Sequence, residues 1–347
     1  MTQELRQKME AIINRNPQAD DREIVFQLKQ LLYEGELQNF SYKEAKSMAQ
    51  LVADNLSQLH EGEAQSTVVK TGFDDFDAPF GGFRLGEFIV VGGRPAMGKT
   101  QFLVNLSLHI SATFPVLFIA FDMSEPVLAS RFMASASGIP AGDILQHKIS
   151  PQQKARLAGV GNLFEKRRLF LSDGCHPSIA AIRAYCQKQI QENGIQVIVV
   201  DYLQLITSYH HKKFREQEVS HISRELKNMA KEYNVCVIVS SQLNRSVEMR
   251  GGNRRPMLSD LRESGAIEQD ADKVIFIHRP EAYGILEDGE GNSLIDVVEV
   301  IVAKNRIGCL GGFMLMKDSN FTSFRSVNTE FTFSMDRLHE LEEDLPL

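Results

Sequence analysis

Several features that mark other protein classes are scarce or absent in this sequence. Only four of its 347 residues are cysteines, at positions 175, 186, 236 and 309, and their spacing matches no metal-ligand motif. Scattered cysteines of this kind indicate buried free thiols in a reducing compartment. The formal net charge is −7, so the surface as a whole does not attract polyanions. Any contact with nucleic acid therefore has to come from a local basic patch.

Long apolar runs are absent too. No stretch reaches the length of about 20 residues that a membrane-spanning helix needs, and the start, MTQELRQKME, lacks the features of a secretory leader. We therefore expect a cytoplasmic protein. Because 43% of the residues are hydrophobic, the chain can bury a full core, and its length predicts one large domain with a smaller part beside it.

Residues 1–66 are predicted to form a small helical segment and a linker. Apolar residues recur there at helical spacing, first at Leu28, Leu31 and Leu32 and then at Ala45, Met48, Ala49, Val52 and Leu56. The polar stretch 61–67 has the composition of a linker. Since this segment is too small for a core of its own, we expect it to pack on the main domain or on a neighbouring subunit.

Residues 67–347 show a different pattern, which predicts the main domain. Short runs rich in β-branched residues occur at 87–91, 116–121, 169–171, 197–200, 235–240, 273–278 and 297–302. Helical patterns lie between most of them. Apolar strands that alternate with helices predict an α/β fold whose parallel sheet is covered on both faces. After Gly312 the chain can add antiparallel strands at one edge.

The motif with the clearest chemistry is GRPAMGKT at 93–100, between a buried strand run and an apolar-periodic helix. A phosphate-binding loop occupies such a place, and its glycines let backbone N–H groups surround phosphates. Lys99 is expected to reach the β- and γ-phosphates and the Thr100 hydroxyl to bind Mg²⁺. The predicted nucleotide-binding residues are Gly93, Arg94, Pro95, Ala96, Met97, Gly98, Lys99 and Thr100. The motif therefore predicts an enzyme that binds and hydrolyses ATP.

Three further strand runs end in polar residues at the same predicted edge of the sheet. Asp201 follows the run 197–200 and, beside a P-loop, predicts a second group that holds the metal. Asp122 is placed either to polarise the attacking water as a general base or to cap the helix that starts near Glu125. Gln242 is placed to sense the γ-phosphate, although a solvated loop residue shows the same pattern.

A basic loop follows, with Arg245, Arg250, Arg254 and Arg255 and only Glu248 opposing them. A flexible basic loop in an acidic protein is a candidate contact for a polyanion, and a solvated loop is the alternative. No aromatic residues are interleaved with these arginines. Any contact with DNA here is therefore expected to involve the sugar-phosphate backbone rather than base stacking.

Together with several other segments, these motifs closely resemble the ATPase domain of DnaB-type replicative hexameric helicases. The matching segments are TGFDDFD (71–77), GGF (81–83), the P-loop, VIVVDYLQLI (197–206), SSQLNRSVE (240–248), LSDLRESGAIEQDAD (258–272) and VIVAKNRIG (300–308). The resemblance covers roughly residues 68–325. It implies a RecA-like core that assembles head-to-tail into a ring, a hexamer, with ATP bound between subunits.

The resemblance also implies roles for individual residues. Lys304 and Arg306 match a basic pair that reaches into the neighbouring subunit's site as an arginine finger. The family's contacts with single-stranded DNA fall on Arg262, Glu263 and Gly265, where backbone amides and the arginine would hold phosphates without reading bases. The implied catalytic set is Lys99, Asp122, Asp201, Gln242, Lys304 and Arg306, and the implied metal ligands are Thr100 and Asp201.

The sequence departs from the family pattern at two places. The family's catalytic glutamate falls at Asp122, which is one methylene shorter, and a displacement of about 1 Å can cost about a hundredfold in rate. Only the residues up to about position 66 precede the ATPase domain. We therefore expect a linker helix and a small helical piece here rather than the large helical collar of the replicative enzymes, and no primase contact through such a collar.

Three functions fit this sequence. The leading hypothesis is an ATP-driven helicase or translocase on single-stranded DNA. The second is a RecA-like ATPase that remodels protein or recombination intermediates without processive unwinding. The third is an ATP-binding assembly module with weak turnover, which the short Asp122 favours. The third is opposed by the presence of Lys99, Thr100, Asp201, Gln242 and Arg306, because a purely structural nucleotide site needs no trans-acting finger.

Overall fold

The computed structural model of the protein describes residues 10–12, 45–60, 68–208, 215–261, 265–327 and 333–334. The chain divides into two units, Met1–Gln65 and Ser66–Leu347. In the first unit, helix α1 spans Met48–His60, in agreement with the helical spacing of its apolar residues. The predicted helix around Leu28 and the predicted linker at 61–67 lie outside the described residues.

The second unit contains all the strands and most of the helices of the described chain. Its helices are α2 (Asp74–Phe80), α3 (Lys99–Ile110), α4 (Glu125–Ser137), α5 (Ala141–Leu145), α6 (Pro151–Glu165), α7 (Ile179–Asn193), α8 (Arg215–Tyr233), α9 (Ser246–Met249) and α10 (Gly265–Asp270). Its strands are β1 (Val68–Val69), β2 (Phe83–Arg84), β3 (Phe88–Gly93), β4 (Val116–Ala120), β5 (Leu169–Ser172), β6 (Val197–Asp201), β7 (Cys236–Gln242), β8 (Lys273–His278), β9 (Val297–Asn305), β10 (Gly311–Lys317), β11 (Phe324–Ser326) and β12 (Phe333–Ser334). Short 3₁₀ turns lie at Leu203–Leu205, Leu258–Asp260 and Pro280–Tyr283.

The main sheet has the strand order β11-β10-β9-β8-β3-β7-β6-β4-β5, and β12 pairs with β10. The strands from β8 to β5 are parallel, while β9, β10 and β11 run antiparallel. Every predicted strand run is a strand, and the antiparallel strands expected after Gly312 lie at one edge. The predicted α/β fold is confirmed.

One predicted strand differs from the expected parallel arrangement. The run 297–302 becomes β9, which pairs antiparallel with β8. The connection between the two strands holds only the 3₁₀ turn Pro280–Tyr283 and no helix. A parallel neighbour needs a crossover, usually an α-helix, so the chain turns back on itself instead.

Both faces of the parallel part of the sheet are buried. Ile89 and Val91 of β3 belong to the core on the side of α3 and α4, and Phe88 and Val90 belong to the core on the side of α7 and α8. Successive side chains of a strand point to opposite faces, so a strand covered on both sides has to be apolar throughout. This explains why the continuous apolar runs form the strands beside the phosphate loop.

Local capping sets where several helices begin. The Ser150 hydroxyl accepts from the Gln153 N–H at 3.2 Å, and the Gln153 side chain accepts from the Ser150 N–H at 2.8 Å, which forms a capping box at the start of α6. Ser178 accepts from the Ala181 N–H at 3.3 Å at the start of α7. Among the described residues, no helix combines the length and apolar composition needed to cross a membrane.

Candidate nucleotide site

The P-loop lies between the end of β3 and the start of α3, where the sequence predicts it. Gly98 has φ 96° and immediately precedes α3, and a Cβ there would lie 2.4 Å from the ring of Phe321. Only glycine fits this position. Because α3 begins at Lys99, its unpaired N-terminal N–H groups and its dipole favour an anion at the loop.

The Lys99 side chain is folded back on the loop. Its Nζ donates to the carbonyl oxygens of Gly93 at 2.8 Å and of Arg94 at 3.0 Å. Burial lowers the pKa of this ammonium group to about 8, and the nearby Asp201 carboxylate partly offsets the effect. Since its hydrogen-bond partners are neutral, the group can exchange them for the oxygens of an anion.

Thr100 and Asp201, the two predicted metal ligands, are in direct contact. The threonine Oγ1 donates to Asp201 Oδ2 at 2.6 Å, and the other carboxylate oxygen accepts from the Ser240 hydroxyl. Asp201 is 2% exposed, and within the described part of the chain it forms no salt bridge. A buried carboxylate that has hydroxyl partners but no cation fits Mg²⁺, which binds hard oxygen ligands and takes few of them from protein.

Asp122 lies two residues beyond the end of β4, next to this pair. Ala120 of β4 is in register with Asp201 of β6, and the Phe121 N–H donates to the Asp201 carbonyl at 3.0 Å. Partial burial and the Asp201 carboxylate raise the pKa of Asp122, while Lys99 acts in the opposite direction. The exposed Asp122 carboxylate is therefore within the electrostatic reach of both groups.

The alternative interpretation of Asp122 as a helix cap receives no support. Helix α4 begins at Glu125 with Ser124 as its N-cap residue. The Glu125 N–H donates to the carboxylate of Asp173 at 2.8 Å. The carboxylate that accepts from the first turn of α4 is thus Asp173, which follows β5. Asp122 is not needed as a cap for this helix.

Gln242, the predicted γ-phosphate sensor, is adjacent to the start of the P-loop. It is the last residue of β7 and is in register with Gly93 of β3. The N–H of the next residue, Leu243, donates to the Gly93 carbonyl at 3.4 Å. The parallel sheet therefore brings the glutamine to the same edge as Lys99 and Asp201.

Arg94, predicted as a nucleotide-binding residue, uses its guanidinium inside the protein. Its Nη1 donates to the Leu243 carbonyl at 2.7 Å, and its Nε donates to Glu248 at 2.7 Å. The residue is 6% exposed. This side chain fastens the P-loop to the segment that follows β7, so only the backbone of Arg94 is left for a nucleotide. The motif contains no signal for this contact.

A second contribution that the sequence did not predict comes from the turn between β10 and β11. The Arg279 guanidinium lies 4.8 Å from the centre of the Phe321 ring, and its Nη1 donates to the P-loop carbonyl of Ala96 at 3.0 Å. Gln101 of α3 donates to the Thr322 carbonyl at 2.6 Å. The antiparallel end of the sheet thus supports the P-loop from one side.

The P-loop lies at the edge of the sheet that is formed by the carboxyl ends of the parallel strands. Lys304 and Arg306 lie at the opposite edge, where those strands begin. Because β9 is antiparallel to β8, its last residue, Asn305, pairs with Lys273, the first residue of β8. The P-loop instead follows the far end of β3, which is parallel to β8. A strand as long as β3 spans about 16 Å. Arg306 therefore does not reach the P-loop of its own subunit.

Both cations are held at the carboxyl end of α10. Lys304 Nζ donates to the carbonyls of Glu268 and, at 3.2 Å, of Gln269. Arg306 Nη2 donates to the Gln269 carbonyl at 2.5 Å, and its Nη1 lies 3.3 Å from Asp272 Oδ1. Cations are favourable at this end of a helix. The Arg306 side chain is still 47% exposed.

The basic loop after β7 is largely engaged in internal contacts. Arg250 pairs with Asp260 at 2.6 Å, and Arg255 donates twice to Glu299, each time at 2.8 Å. The interpretation of this loop as a polyanion contact therefore does not hold for these two arginines. Their charges are compensated within the fold.

The predicted DNA contact is described only in part. Arg262 and Glu263 lie outside the described residues. Gly265 is the first residue of α10, whose other end holds the predicted finger residues.

Comparison with known proteins assigns the chain to a family. The family model for the DnaB-like helicase C terminal domain matches residues 68–326, which is most of the second unit. The chain belongs to this family.

Relatives of this DnaB-like chain are named as replicative helicases. Replicative DNA helicase DnaB of Geobacillus stearothermophilus is 36% identical over 294 residues, and replicative DNA helicase DnaC of Bacillus subtilis (strain 168) is 34% identical over 294 residues. Each comparison covers 84% of this chain and 63% of the relative. The chain thus spans about three fifths of the length of the curated relatives it matches.

Solved structures of similar proteins confirm the RecA-like fold. One of them, an ATPase domain, has a TM-score of 0.75 at 29% identity, and the match covers 82% of this chain and 100% of that domain. A DnaB-like replicative helicase, studied with its interactions with primase, has a TM-score of 0.71 at 26% identity. This match covers 94% of this chain and 75% of that helicase chain. The predicted resemblance is confirmed, and these relatives do not favour the remodelling or weak-turnover alternatives.

Proposed function

We propose that this protein is an ATP-dependent helicase or translocase that acts on single-stranded DNA as a head-to-tail ring, a hexamer. The observation that carries the proposal is the position of the two halves of the catalytic machinery. Lys99 lies at one edge of the main sheet and Arg306 at the other. A head-to-tail contact brings these opposite edges together, and repetition of that contact closes a ring when the rotation between subunits divides a full turn.

Nucleotide binding is proposed at the residues of the P-loop. Backbone N–H groups of 93–98, except at Pro95, surround the phosphates, Lys99 contacts the β- and γ-phosphates, and Thr100 and Asp201 hold Mg²⁺. The bound ion would neutralise charge on the phosphate oxygens. The contact between Thr100 and Asp201 supports this assignment, because both oxygens already face one another at 2.6 Å.

Hydrolysis is proposed to need four further residues. Asp122 takes a proton from the attacking water, and its pKa, raised by partial burial and by Asp201, makes it a stronger proton acceptor than an ordinary aspartate. Gln242 senses the γ-phosphate. Arg306, with Lys304 beside it, supplies a cation to the γ-phosphoryl oxygens of the neighbouring subunit.

Single-stranded DNA is proposed to bind at Arg262, Glu263 and Gly265, through phosphate contacts that do not read sequence. Residues 1–66 are proposed as a separate helical segment with a linker, and 67–347 as the ATPase and helicase domain. The division of the chain after Gln65 supports this boundary. Action on DNA during replication implies the cytoplasm as the location.

Mixing two inactive variants tests the proposed ring. Arg306→Ala should bind ATP but lose about a thousandfold in turnover, because the finger is absent from every interface. Lys99→Ala should be inactive because the P-loop has lost its cation. A mixture should recover turnover, since some interfaces then combine an intact P-loop with an intact finger.

ATP turnover, with and without single-stranded DNA, and light scattering after size exclusion are the measurements. Turnover per subunit should rise with protein concentration until the ring forms. If turnover stayed constant on dilution to the monomer and the mixture gained nothing, hydrolysis would be a property of one subunit. DNA unwinding by the assembled wild-type protein distinguishes a helicase from an ATPase that only binds DNA.

A further inference from the structure

Gln204 lies three residues after the predicted metal ligand Asp201, in the 3₁₀ turn Leu203–Leu205 that follows β6. Its side-chain amide forms a closed pair of hydrogen bonds with the main chain of Gln242. Gln204 Oε1 accepts from the Gln242 N–H at 3.1 Å, and Gln204 Nε2 donates to the Gln242 carbonyl at 3.1 Å. The same Nε2 also lies 3.0 Å from Ser241 Oγ. A side-chain amide thus continues the β7 hydrogen-bond pattern beyond the last residue of β6.

Gln204 is itself fixed in place. The nearby residues Leu203 and Ile206 are fully buried in the core on the side of α7 and α8. Its carbonyl accepts from Arg215 Nη2 at 2.8 Å, at the start of α8. The main chain of Gln204 is therefore anchored by packing and by a charged donor, and its amide is held at a defined position relative to β7.

The contact joins the two strand ends that carry the nucleotide chemistry. Asp201 at the end of β6 already accepts from Ser240 in β7, and Gln204 adds a second connection beyond it. Gln242 has no further strand partner on that side, because β6 ends at Asp201. Without Gln204, the Gln242 N–H and carbonyl would lose these hydrogen bonds, and the direction of the Gln242 side chain would be less defined.

We propose that Gln204 is the positioning residue that aims Gln242 at the γ-phosphate, so that discrimination between tri- and diphosphate depends on it. This inference rests on the proposed role of Gln242 as sensor. Gln204 does not touch the nucleotide. It holds the main chain of the sensor Gln242 in place. A shift of the turn Leu203–Leu205, which follows Asp201, would therefore move Gln242 as well.

The test measures binding of ADP and of a non-hydrolysable ATP analogue to the assembled full chain. Gln204→Met keeps the size of the side chain and removes all three polar contacts. We expect ADP affinity to stay unchanged, preference for the triphosphate analogue to fall about tenfold, and kcat to fall with it. Gln189→Met is the matched control, because the Gln189 amide has an Asn193 partner within α7 and none at this edge.

Gln204→Glu provides a readout that a merely structural role would not move. The ionised carboxylate can accept from the Gln242 N–H but faces its carbonyl without a proton to donate. The protonated acid restores one donor and one acceptor. Triphosphate preference, compared with that of the wild type at each pH, should therefore recover as the pH is lowered through the pKa of the introduced carboxyl, and Gln204→Met should show no recovery. This variant also carries the test should Gln204→Met fail to assemble.

Gln242→Ala separates failure of this inference from failure of the proposed function. If Gln242→Ala lowers triphosphate preference and the two Gln204 variants do not, Gln204 has no positioning role while the sensor assignment stands. If Gln242→Ala itself leaves the preference unchanged, the sensor assignment fails and the inference fails with it. A parallel loss in Gln204→Met and Gln242→Ala, with the pH-dependent recovery in Gln204→Glu, supports the proposal.

Discussion

The two edges of the parallel sheet treat buried charge in different ways. At the edge where the strands end, Asp201 accepts from hydroxyl groups, including that of Thr100, and Lys99 donates to main-chain carbonyls. At the edge where the strands begin, Lys273 donates to both carboxylate oxygens of Glu87 at 2.8 Å. Lys99 and Asp201 thus have neutral hydrogen-bond partners, whereas Lys273 and Glu87 are paired with each other.

This difference distinguishes a binding site from a structural ion pair. A buried ion without an opposite charge beside it lowers stability, whereas a well-formed pair compensates its own desolvation in large part. The charges of Lys273 and Glu87 therefore compensate each other and are not available to bind a ligand. Lys99 and Asp201 keep their charges available, and the phosphates and metal of a bound nucleotide would compensate both.

Replacing one buried lysine at each edge by methionine should give the largest effects and tests this difference most directly. Lys99→Met should lose at least about a thousandfold in ATP turnover, because the phosphates lose their cation. Its free energy of unfolding should not fall, because burial without an ion-pair partner makes the Lys99 charge unfavourable for stability and only neutral hydrogen-bond partners are released. Steady-state turnover and urea unfolding measure the two effects.

Lys273→Met should show the reverse. The substitution leaves Glu87 buried without its cation, so the free energy of unfolding should fall by about 3 kcal/mol. Turnover per folded molecule should fall far less than in Lys99→Met, because Lys273 contacts Glu87 and not the P-loop, although its strand partner Asn305 adjoins the proposed finger residue Arg306. A large loss of turnover in folded Lys273→Met, or normal turnover in Lys99→Met, would remove the distinction between the edges.

A smaller effect is expected at Asp122, which sharpens the description of the catalytic edge. Asp122→Asn should bind ATP normally and lose about a hundredfold in turnover, because the amide cannot accept the proton of the attacking water. Asp122→Glu restores the length typical of the family and is expected to match or exceed the wild type.

Single-turnover hydrolysis and separate nucleotide-binding measurements test this expectation. Because the pKa of Asp122 is raised, wild-type turnover should decrease as the pH falls through that pKa, and Asp122→Asn should lack this limb. If Asp122→Asn hydrolysed ATP like the wild type, another group would have to orient the water.

The smallest expected effect concerns the pH dependence of nucleotide binding. In the free protein the pKa of Lys99 is lowered to about 8, and a bound triphosphate raises it by favouring the charged form. Above about pH 8, binding therefore requires proton uptake, and affinity should fall by up to about tenfold per pH unit. Below that pH, this group contributes no pH dependence.

Calorimetry in two buffers of different ionisation enthalpy measures the proton uptake directly. The Lys99→Met variant is the control, because its residual affinity should show no such dependence above about pH 8. Uptake of the same size in wild type and variant would mean that another group titrates.

The sequence by itself determined the parts that depend on local pattern. The P-loop needs a strand, a glycine-bearing turn and a helix start in direct succession, and Lys99 and Thr100 follow from that order. Asp201 and Gln242 could be predicted because each ends an apolar run. The carboxyl ends of parallel strands meet at one edge, so local strand patterns were enough to bring these residues together.

The tertiary structure alone decided which groups meet across the chain. The antiparallel direction of β9 places Arg306 at the edge away from the P-loop, and nothing in the run 297–302 encodes that direction. The Arg94–Glu248 and Gln204–Gln242 contacts join residues 154 and 38 positions apart. Such contacts depend on strand order and on the packing of turns, because a side chain far along the sequence becomes a neighbour only when the sheet is assembled.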